Sequence, residues 1–262
     1  MSAIDCCSRR ARVAGLIVLA ALSAGIMLGL VSPIAQDPAY HRFADQRAWL
    51  GVPNFLNVIS NLPLVIVGGA GTVLVLRRTG QWPSSLRSAW GVTFVGVLLT
   101  GLGSAYYHLR PDNSSLVWDR LPMAIGFMGF LAAMIGDRVS LRAAAMLLAP
   151  FVAAGIGSVV WWWWTESRGA GDLRPYALVQ FFPLVGGLYL AALLPGGRIG
   201  LRPVVFALAW YAGAKVFEVL DGPIGRMGVG DLAISGHTLK HIAAAAGTWW
   251  LLRGATPTST TR

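Results

Sequence analysis

The sequence predicts an α-helical bundle that crosses a membrane several times, and three observations lead to this fold class. First, 55% of the 262 residues are hydrophobic and only 12% are charged, whereas a water-soluble domain carries about 25% charged residues. Second, apolar stretches of about twenty residues recur along most of the chain, and each is long enough to span a bilayer as a helix. Third, these stretches are continuously apolar and do not alternate with polar residues, which argues against membrane β-strands.

Eight apolar segments follow one another along the chain and are joined by short connections. They lie at 13–35, 54–76, 88–108, 117–136, 141–164, 175–194, 202–221 and 236–252. The connections are too short to hold a separate soluble domain. We therefore expect a seven-helix membrane domain at 54–252, preceded by one extra helix and followed by a short polar tail at 253–262.

The first apolar segment, 13–35, allows two interpretations. Basic residues in the stretch 1–12 precede it, and Ser-Pro-Ile-Ala at 32–35 is compatible with a signal-peptide cleavage site. The segment is long for a signal peptide, so a retained extra N-terminal transmembrane helix is favoured. Cleavage after Ala35 would leave seven helices and would not change the positions of those that follow.

Arginine placement predicts the orientation of the bundle, because cytoplasmic loops of membrane proteins are enriched in basic residues. With a cytoplasmic N-terminus, one face holds enough arginines to account for the entire formal charge of +10, opposed by only two acidic residues, Asp5 and Asp137. These arginines are Arg9, Arg10, Arg12, Arg77, Arg78, Arg87, Arg138, Arg142, Arg198, Arg202, Arg253 and Arg262. Since the basic residues do not cluster on a soluble element, we expect no nucleic-acid partner. The pattern favours a prokaryotic inner membrane with both termini cytoplasmic, although an endomembrane protein would look similar.

Polar side chains of five segments fall at one depth of the predicted bundle, toward the side opposite the cytoplasm. They are Asn54, Asn57, Ser60 and Asn61 of the second segment, Ser104 and His108 of the third, Asp119 of the fourth, Glu218 and Asp221 of the seventh, and His237 and His241 of the eighth. Ionisable groups within membrane helices are costly, so they require partners or a function. Their common depth predicts a site facing the periplasmic side.

His108, His237 and His241 form a candidate zinc site. His237 and His241 are four residues apart, so they share one face of a helix and both imidazoles reach the same point. His108 is the natural third ligand, since the remaining histidine, His41, lies in an outer loop. Three protein ligands with an open fourth position are typical of catalytic zinc. A histidine pair alone would also suit haem or a transport path.

Other polar residues at this depth have simpler explanations. Ser104 lies beside Gly101 and Gly103, and small residues of this kind permit close helix packing. The asparagine stripe is best explained by interhelical hydrogen bonds, and the four tryptophans at 161–164 by an interfacial belt. Glu218 and Asp221 are expected to form structural ion pairs with Lys215 or Arg226, with direct involvement in the site as the alternative.

Four short motifs resemble the alkaline ceramidase family. They are Asn57-Val-Ile-Ser-Asn61, Gly103-Ser-Ala-Tyr-Tyr-His108, Asp119-Arg-Leu-Pro-Met123 and His237-Thr-Leu-Lys-His241. That family belongs to a larger superfamily of seven-helix membrane hydrolases, which also contains the adiponectin and progestin receptor group. The resemblance covers about residues 50–252, and the order and spacing of the motifs agree with it.

The resemblance implies a zinc-dependent amidase that hydrolyses ceramide or a related lipid amide. His108, His237 and His241 match the zinc ligands, and Asp119 and Ser104 match catalytic residues around the zinc-bound water. The eukaryotic members bind calcium through an acidic N-terminal loop, but the loop 36–53 here contains only Asp37 and Asp45 as acidic residues. We therefore do not expect calcium. The motifs leave the natural substrate open.

Asp119 is expected to accept the proton of the attacking water and pass it to the leaving amine, while Ser104 helps to stabilise the oxyanion. Two other functions stay open. A receptor or scaffold would use zinc only to hold helices together. A metal or proton transporter would need a polar path across the membrane, and the inner halves of the predicted helices carry no polar residues that match such a path.

Overall fold

The computed structural model describes residues 3–78, 80–227 and 234–256. Within these ranges the chain is helical, and the only extended pairing is an isolated bridge between Trp49 and Val52. The predicted all-helical membrane bundle is confirmed.

Ten α-helices and one short 3-10 helix make up the described part of the chain. The α-helices are α1 Ala3–Gly29, α2 Phe55–Ile59, α3 Leu62–Arg77, α4 Ser84–Leu109, α5 Asn113–Arg138, α6 Leu141–Glu166, α7 Arg174–Leu193, α8 Leu201–Val219, α9 Asp221–Met227 and α10 Gly236–Ala255. The 3-10 helix, Pro38–His41, lies in the loop between α1 and α2.

Six spans of the described chain are long and apolar enough to cross a membrane, or seven if α8 and α9 count as one span bent by 73°. α10, which forms the eighth predicted segment, is not among them. Its 20 residues include His237, Lys240, His241 and Arg253, and these lower its hydropathy. α10 nevertheless packs along α8 and α3, so it belongs to the same bundle.

The second predicted segment, 54–76, is broken into α2 and α3 at Ser60 and Asn61. Pro63 is the physical reason, because proline has no backbone N–H and its ring conflicts with the carbonyl of the residue four positions earlier, Ile59. The two helices together still form one candidate membrane span, Phe55–Arg77, as predicted. The break turns Ser60 toward α10, where it contacts a site residue.

In the most apolar 18-residue stretch of α5, 67% of the residues are buried. α5 is therefore the central helix, and it packs against α4, α6 and α7. The contact with α4 is close enough to require glycine. A Cβ atom on Gly103 would lie 1.9 Å from the carbonyl oxygen of Trp118. The next residues on the two helices, Ser104 and Asp119, are thereby brought side by side.

α1 lies at the periphery of the bundle against α7. It begins at Ala3, ten residues before the predicted apolar segment, because a helix can extend past the membrane through charged residues such as Arg9 and Arg12. The C-terminal end of α1 is held by Arg174, which donates to the carbonyl oxygens of Leu28 and Val31 at 3.2 and 2.8 Å.

The ion pair between Asp172 and Arg174 stabilises this corner in a pH-dependent way. Hydrogen bonds from Arg174 lower the pKa of the Asp172 carboxyl to about 2. Because the folded pKa lies below the unfolded value of about 3.9, the stabilisation is complete above about pH 4 and is lost as the pH falls toward 2.

We expect Asp172→Asn to lower the free energy of unfolding at pH 7 measurably, by up to about 1 kcal/mol. Thermal unfolding from pH 7 to pH 3 checks this, since equal stability of both proteins at pH 7 would contradict it.

The tryptophans at 161–164 do not all face the membrane interface. Trp161, Trp163 and Trp164 are exposed, whereas Trp162 is completely buried. The guanidinium of Arg120 lies 4.2 Å from the centre of the Trp162 ring. The interfacial-belt interpretation therefore fails for Trp162, whose position on the helix points it inward toward α5.

Candidate metal centre

Three histidines from two helices meet at one point inside the bundle. His108 lies in the last turn of α4, and His237 and His241 lie in the first two turns of α10. The Nε2 atom of His108 is 3.3 Å from the Nε2 atoms of both His237 and His241. All three side chains are buried. The predicted triad is thus assembled in space, with its ligand atoms within 4.8 Å of one another.

The spacing of the three nitrogens fits a metal ion. For zinc–nitrogen bonds of about 2.0–2.1 Å, tetrahedral geometry separates two ligand nitrogens by about 3.3–3.4 Å. The observed separations of 3.3 Å agree with this value. Three neutral imidazoles whose lone pairs converge repel one another unless a cation lies between them. The donor set is therefore compatible with a metal ion, and imidazole nitrogens suit zinc and several other transition metals.

Ser60 sets the orientation and tautomer of His241. The Ser60 hydroxyl donates to the carbonyl oxygen of Asn57 at 3.2 Å and lies 2.8 Å from Nδ1 of His241. A metal on Nε2 would require Nδ1 of His241 to carry the proton, and Nδ1 would then donate to Oγ of Ser60 while the serine proton goes to the Asn57 carbonyl oxygen. The lone pair of Nε2 is then available to a metal, as in other protein metal sites.

We expect Ser60→Ala to weaken metal binding without abolishing it. Loss of such an outer hydrogen bond typically costs about 10- to 100-fold in metal affinity. Competition between the purified protein and a chromogenic zinc chelator measures the change. Thr72→Ala is a suitable control, because the Thr72 hydroxyl bonds only to the backbone of its own helix, at Gly68. An affinity equal to that of the wild type would show that Ser60 does not position His241.

The backbone at the start of α10 is held by Asp221. One carboxylate oxygen accepts from the backbone N–H of His237 at 2.7 Å, and the other accepts from the backbone N–H of Ala44 at 2.8 Å. Ser235 caps the helix by accepting from Thr238 N–H. Asp221 therefore contributes to the site by positioning His237, which the sequence left as an alternative to a structural ion pair.

The asparagine stripe forms interhelical hydrogen bonds, as predicted. The Asn54 side chain donates to the carbonyl oxygen of His108 at 2.8 Å, and Asn57 accepts from the hydroxyl of Thr238 at 3.0 Å. Asn61 donates to the carbonyl oxygen of Asn57 within the same segment. Two of these bonds join α2 and its N-cap to the helices that carry the histidines.

The loop between α1 and α2 covers the triad. The ring of Phe43 packs on His108 and His237, with ring centres 4.6 and 4.5 Å apart. His41 is not part of the triad. Its two ring nitrogens lie 2.9 Å from the Tyr107 hydroxyl and 2.9 Å from the Asn113 side-chain oxygen. His108, and not His41, therefore lies with His237 and His241.

The two acidic residues of this loop are engaged by protein groups. The Asp45 carboxylate accepts two hydrogen bonds from the Arg47 guanidinium, at 2.7 and 3.0 Å, and Asp37 caps the 3-10 helix by accepting from Ala39 N–H. Hydrogen bonds from Arg47 lower the pKa of Asp45, although partial burial opposes this.

A cavity of about 150 Å³ adjoins the triad on the side of His241. Ser104 and Asp119 both line it, and the Ser104 hydroxyl is placed to donate a hydrogen bond to the Asp119 carboxylate. Both side chains are buried. The structure therefore gathers a carboxylate, a hydroxyl and a histidine ligand around one internal space, which a site built only to hold helices together does not require.

Glu218, which also lines this cavity, forms the centre of a charged network. It pairs with Lys215, as expected, and also with Lys240, whose Nζ atom is 3.2 Å from a carboxylate oxygen. The Tyr40 hydroxyl donates to the same carboxylate at 3.1 Å. The network thus links the loop after α1 to α8 and α10.

Sequence analysis missed four of the residues around this site: Tyr40, Phe43, Arg120 and Lys240. Arg120 directly follows Asp119, and Lys240 directly precedes His241. Both are ionisable residues inside membrane helices, which by itself is a signal of function. The two aromatic residues had no such signal, because they lie in a loop.

The chain matches no family model and no curated protein. The resemblance to alkaline ceramidases therefore rests on the motifs quoted above.

Proposed function

We propose that this chain is an intramembrane zinc-dependent amidase that cleaves ceramide or a related lipid amide into a fatty acid and an amine such as a sphingoid base. One observation carries the proposal. Three buried imidazole nitrogens at metal-binding separation adjoin a cavity that also contains the Asp119 carboxylate and the Ser104 hydroxyl.

His108, His237 and His241 would hold the zinc ion. Zinc supplies Lewis acidity, which polarises a carbonyl oxygen and acidifies water. The protein contributes the dry and rigid surroundings, since Phe43 covers two of the imidazoles and Ser60 orients the third.

Asp119 is the group placed to move the proton. Its carboxylate accepts one proton from the attacking water and delivers it to the nitrogen of the leaving amine. The carbonyl carbon gains the water oxygen as the carbon–nitrogen bond breaks, so one water is consumed for each acid and amine released. A bound zinc ion would also offset the cost of burying the Asp119 carboxylate.

Ser104 orients Asp119 in the resting site, because its hydroxyl donates to that carboxylate. Once Asp119 is protonated, this hydroxyl is free to turn toward the substrate carbonyl. A donor of that kind stabilises an oxyanion by about 3 kcal/mol. Ser104 thus first orients Asp119 and later, in the same reaction, stabilises the oxyanion.

The proposed location is a prokaryotic inner membrane with both termini cytoplasmic and the active site toward the periplasm. The arginine distribution supports this orientation, and the site lies where α4 ends and where α5 and α10 begin. A lipid substrate would then reach the cavity from the outer leaflet.

Hydrolysis of lipid amides by the purified protein tests the proposal. Ceramides, simple N-acyl amines and N-acyl amino acids are offered in mixed micelles, and released fatty acid is measured by mass spectrometry. We expect release that stops after chelation and returns with added zinc. A zinc-loaded protein that cleaves none of them would instead support a receptor or scaffold with structural zinc.

A further inference from the structure

Arg120 is a buried cation with an unused donor. Only 6% of its surface is exposed, and Nη2 donates to the side-chain oxygen of Gln36 at 2.6 Å. Its other terminal nitrogen, Nη1, is buried without a hydrogen-bond partner among the described residues. Leaving a buried charged donor unpaired is costly, and Arg120 lines the cavity beside the triad. The rings of Tyr40, Trp162 and Tyr176 lie 5.6, 4.2 and 5.1 Å from the guanidinium and offset part of the cost of burying it. They do not give Nη1 a hydrogen-bond acceptor, which a ligand in the cavity would supply.

The charges around the cavity favour an anion as that acceptor. Its lining contains the cations Arg120, Lys215 and Lys240 and the carboxylates Asp119 and Glu218. Both lysines pair with Glu218, and Asp119 is hydrogen-bonded to Ser104. In the described part of the chain Arg120 makes no salt bridge with either carboxylate, and the three cations of the lining outnumber the two carboxylates. A bound zinc ion would add further positive charge.

The neutral side chains of Gln180 and Tyr211 also line the cavity. Gln180 donates to the hydroxyl oxygen of Tyr211 at 2.7 Å, which leaves the Tyr211 proton for an acceptor in the cavity. At about 150 Å³ the cavity is smaller than the roughly 300–1,000 Å³ of pockets that enclose a drug-sized ligand. It accommodates a compact head group and leaves the hydrocarbon chains outside.

We propose that this cavity binds a carboxylate or phosphate group carried by the lipid amide, with Nη1 of Arg120 as the principal donor. The preferred substrates are then acidic lipid amides, such as an N-acyl amino acid or a phosphorylated ceramide, and not neutral ceramide. This choice of substrate rests on the proposed amidase activity, whereas binding of the anion does not.

Binding of hexyl phosphate tests the anion site without catalysis. Full-length protein in zwitterionic nanodiscs is titrated calorimetrically with hexyl phosphate and with 1-hexanol, both as purified and after chelation, so that no metal holds the phosphate. We expect hexyl phosphate to bind at least about tenfold more tightly, and Arg120→Gln to weaken it about 10- to 100-fold. Equal binding of the alcohol and the phosphate by the chelated wild type would overturn the proposal.

Two further variants separate the site from general charge effects. Arg168→Gln removes an equal charge near the same end of the bundle, where the guanidinium lies over Trp164 and outside the cavity, and we expect no change. Arg120→Lys keeps the charge but loses the forked donor, so we expect intermediate binding even where Arg120→Gln does not fold. Inorganic phosphate binding as tightly as hexyl phosphate would show a site for the free ion and would also overturn the lipid assignment.

Hydrolysis of two amides with the same acyl chain then decides the substrate class. We expect N-palmitoylglycine to be cleaved at least about tenfold faster than N-palmitoylethanolamine, and Arg120→Gln to remove that preference. Equal cleavage of both amides by the wild type would overturn the acidic substrate and leave the amidase standing. Tight binding of hexyl phosphate without cleavage of any amide would overturn the amidase and leave the anion site standing.

Discussion

Asp119→Asn is expected to retain its zinc and to lose about 10²- to 10⁴-fold in turnover of whichever lipid amide the wild type cleaves. The amide that replaces the carboxylate has nearly the same shape and still accepts a hydrogen bond from Ser104. It cannot take a proton from water at neutral pH, so only proton transfer is removed. Fatty-acid release under saturating substrate, with metal content measured on the same samples, checks the result.

Asp112→Asn is the matched control for this variant. Asp112 is the N-cap of α5, where its carboxylate accepts from Ser115 N–H, and asparagine caps helices almost equally well. The same chemical change on the same helix, but outside the cavity, should leave turnover unaltered. Full activity of Asp119→Asn would contradict the assigned role. Loss of zinc from that variant would mean instead that Asp119 acts on the metal site.

His241→Ala is expected to reduce bound zinc from about one ion per chain to nearly none. The two remaining imidazoles, those of His108 and His237, are a poor zinc site, because closed and catalytic sites both use at least three protein ligands. Elemental analysis of the detergent-purified proteins measures this. His41→Ala is the matched control, since His41 bonds to Tyr107 and Asn113 and not to the triad.

Removal of zinc should also destabilise the folded wild type. A metal that binds only the folded state raises its stability by mass action, and loss of the cation leaves the buried Asp119 carboxylate with less compensation. Chelation should therefore lower the thermal midpoint of the wild type and of His41→Ala, but not that of His241→Ala. A folded wild-type protein that binds no zinc even when metal is supplied would remove the basis of the amidase mechanism.

Local spacing was enough to identify the triad. His237 and His241 are one helical turn apart, and the hydropathy of the chain places the end of α4 and the start of α10 on the same side of the bundle. The structure brings these two helix ends together and puts the His108, His237 and His241 nitrogens in contact. Ser104 and Asp119 likewise follow from a short α4–α5 connection, which returns the chain to the same depth.

The contacts that sequence analysis missed depend on the rotation of helices and the course of loops. Ser60 contacts His241 because Pro63 breaks the second segment. Phe43 lies in a loop whose path no periodicity predicts. Arg120 and Lys240 were recognisable as ionisable residues in the membrane, but their partners, Trp162 and Glu218, come from other helices.

The sequence by itself determined the helical membrane architecture and the three candidate ligands. A bilayer leaves the backbone few alternatives to the helix, and residues four apart on a helix share a face whatever the rest of the chain does. Only the tertiary structure decided which cation pairs with which carboxylate, where the cavity lies, and that Arg120 lines it while its Nη1 atom is buried without a hydrogen-bond partner among the described residues. Those features arise from contacts between helices far apart in sequence. Their geometry depends on how the helices rotate and pack, and no local pattern records it.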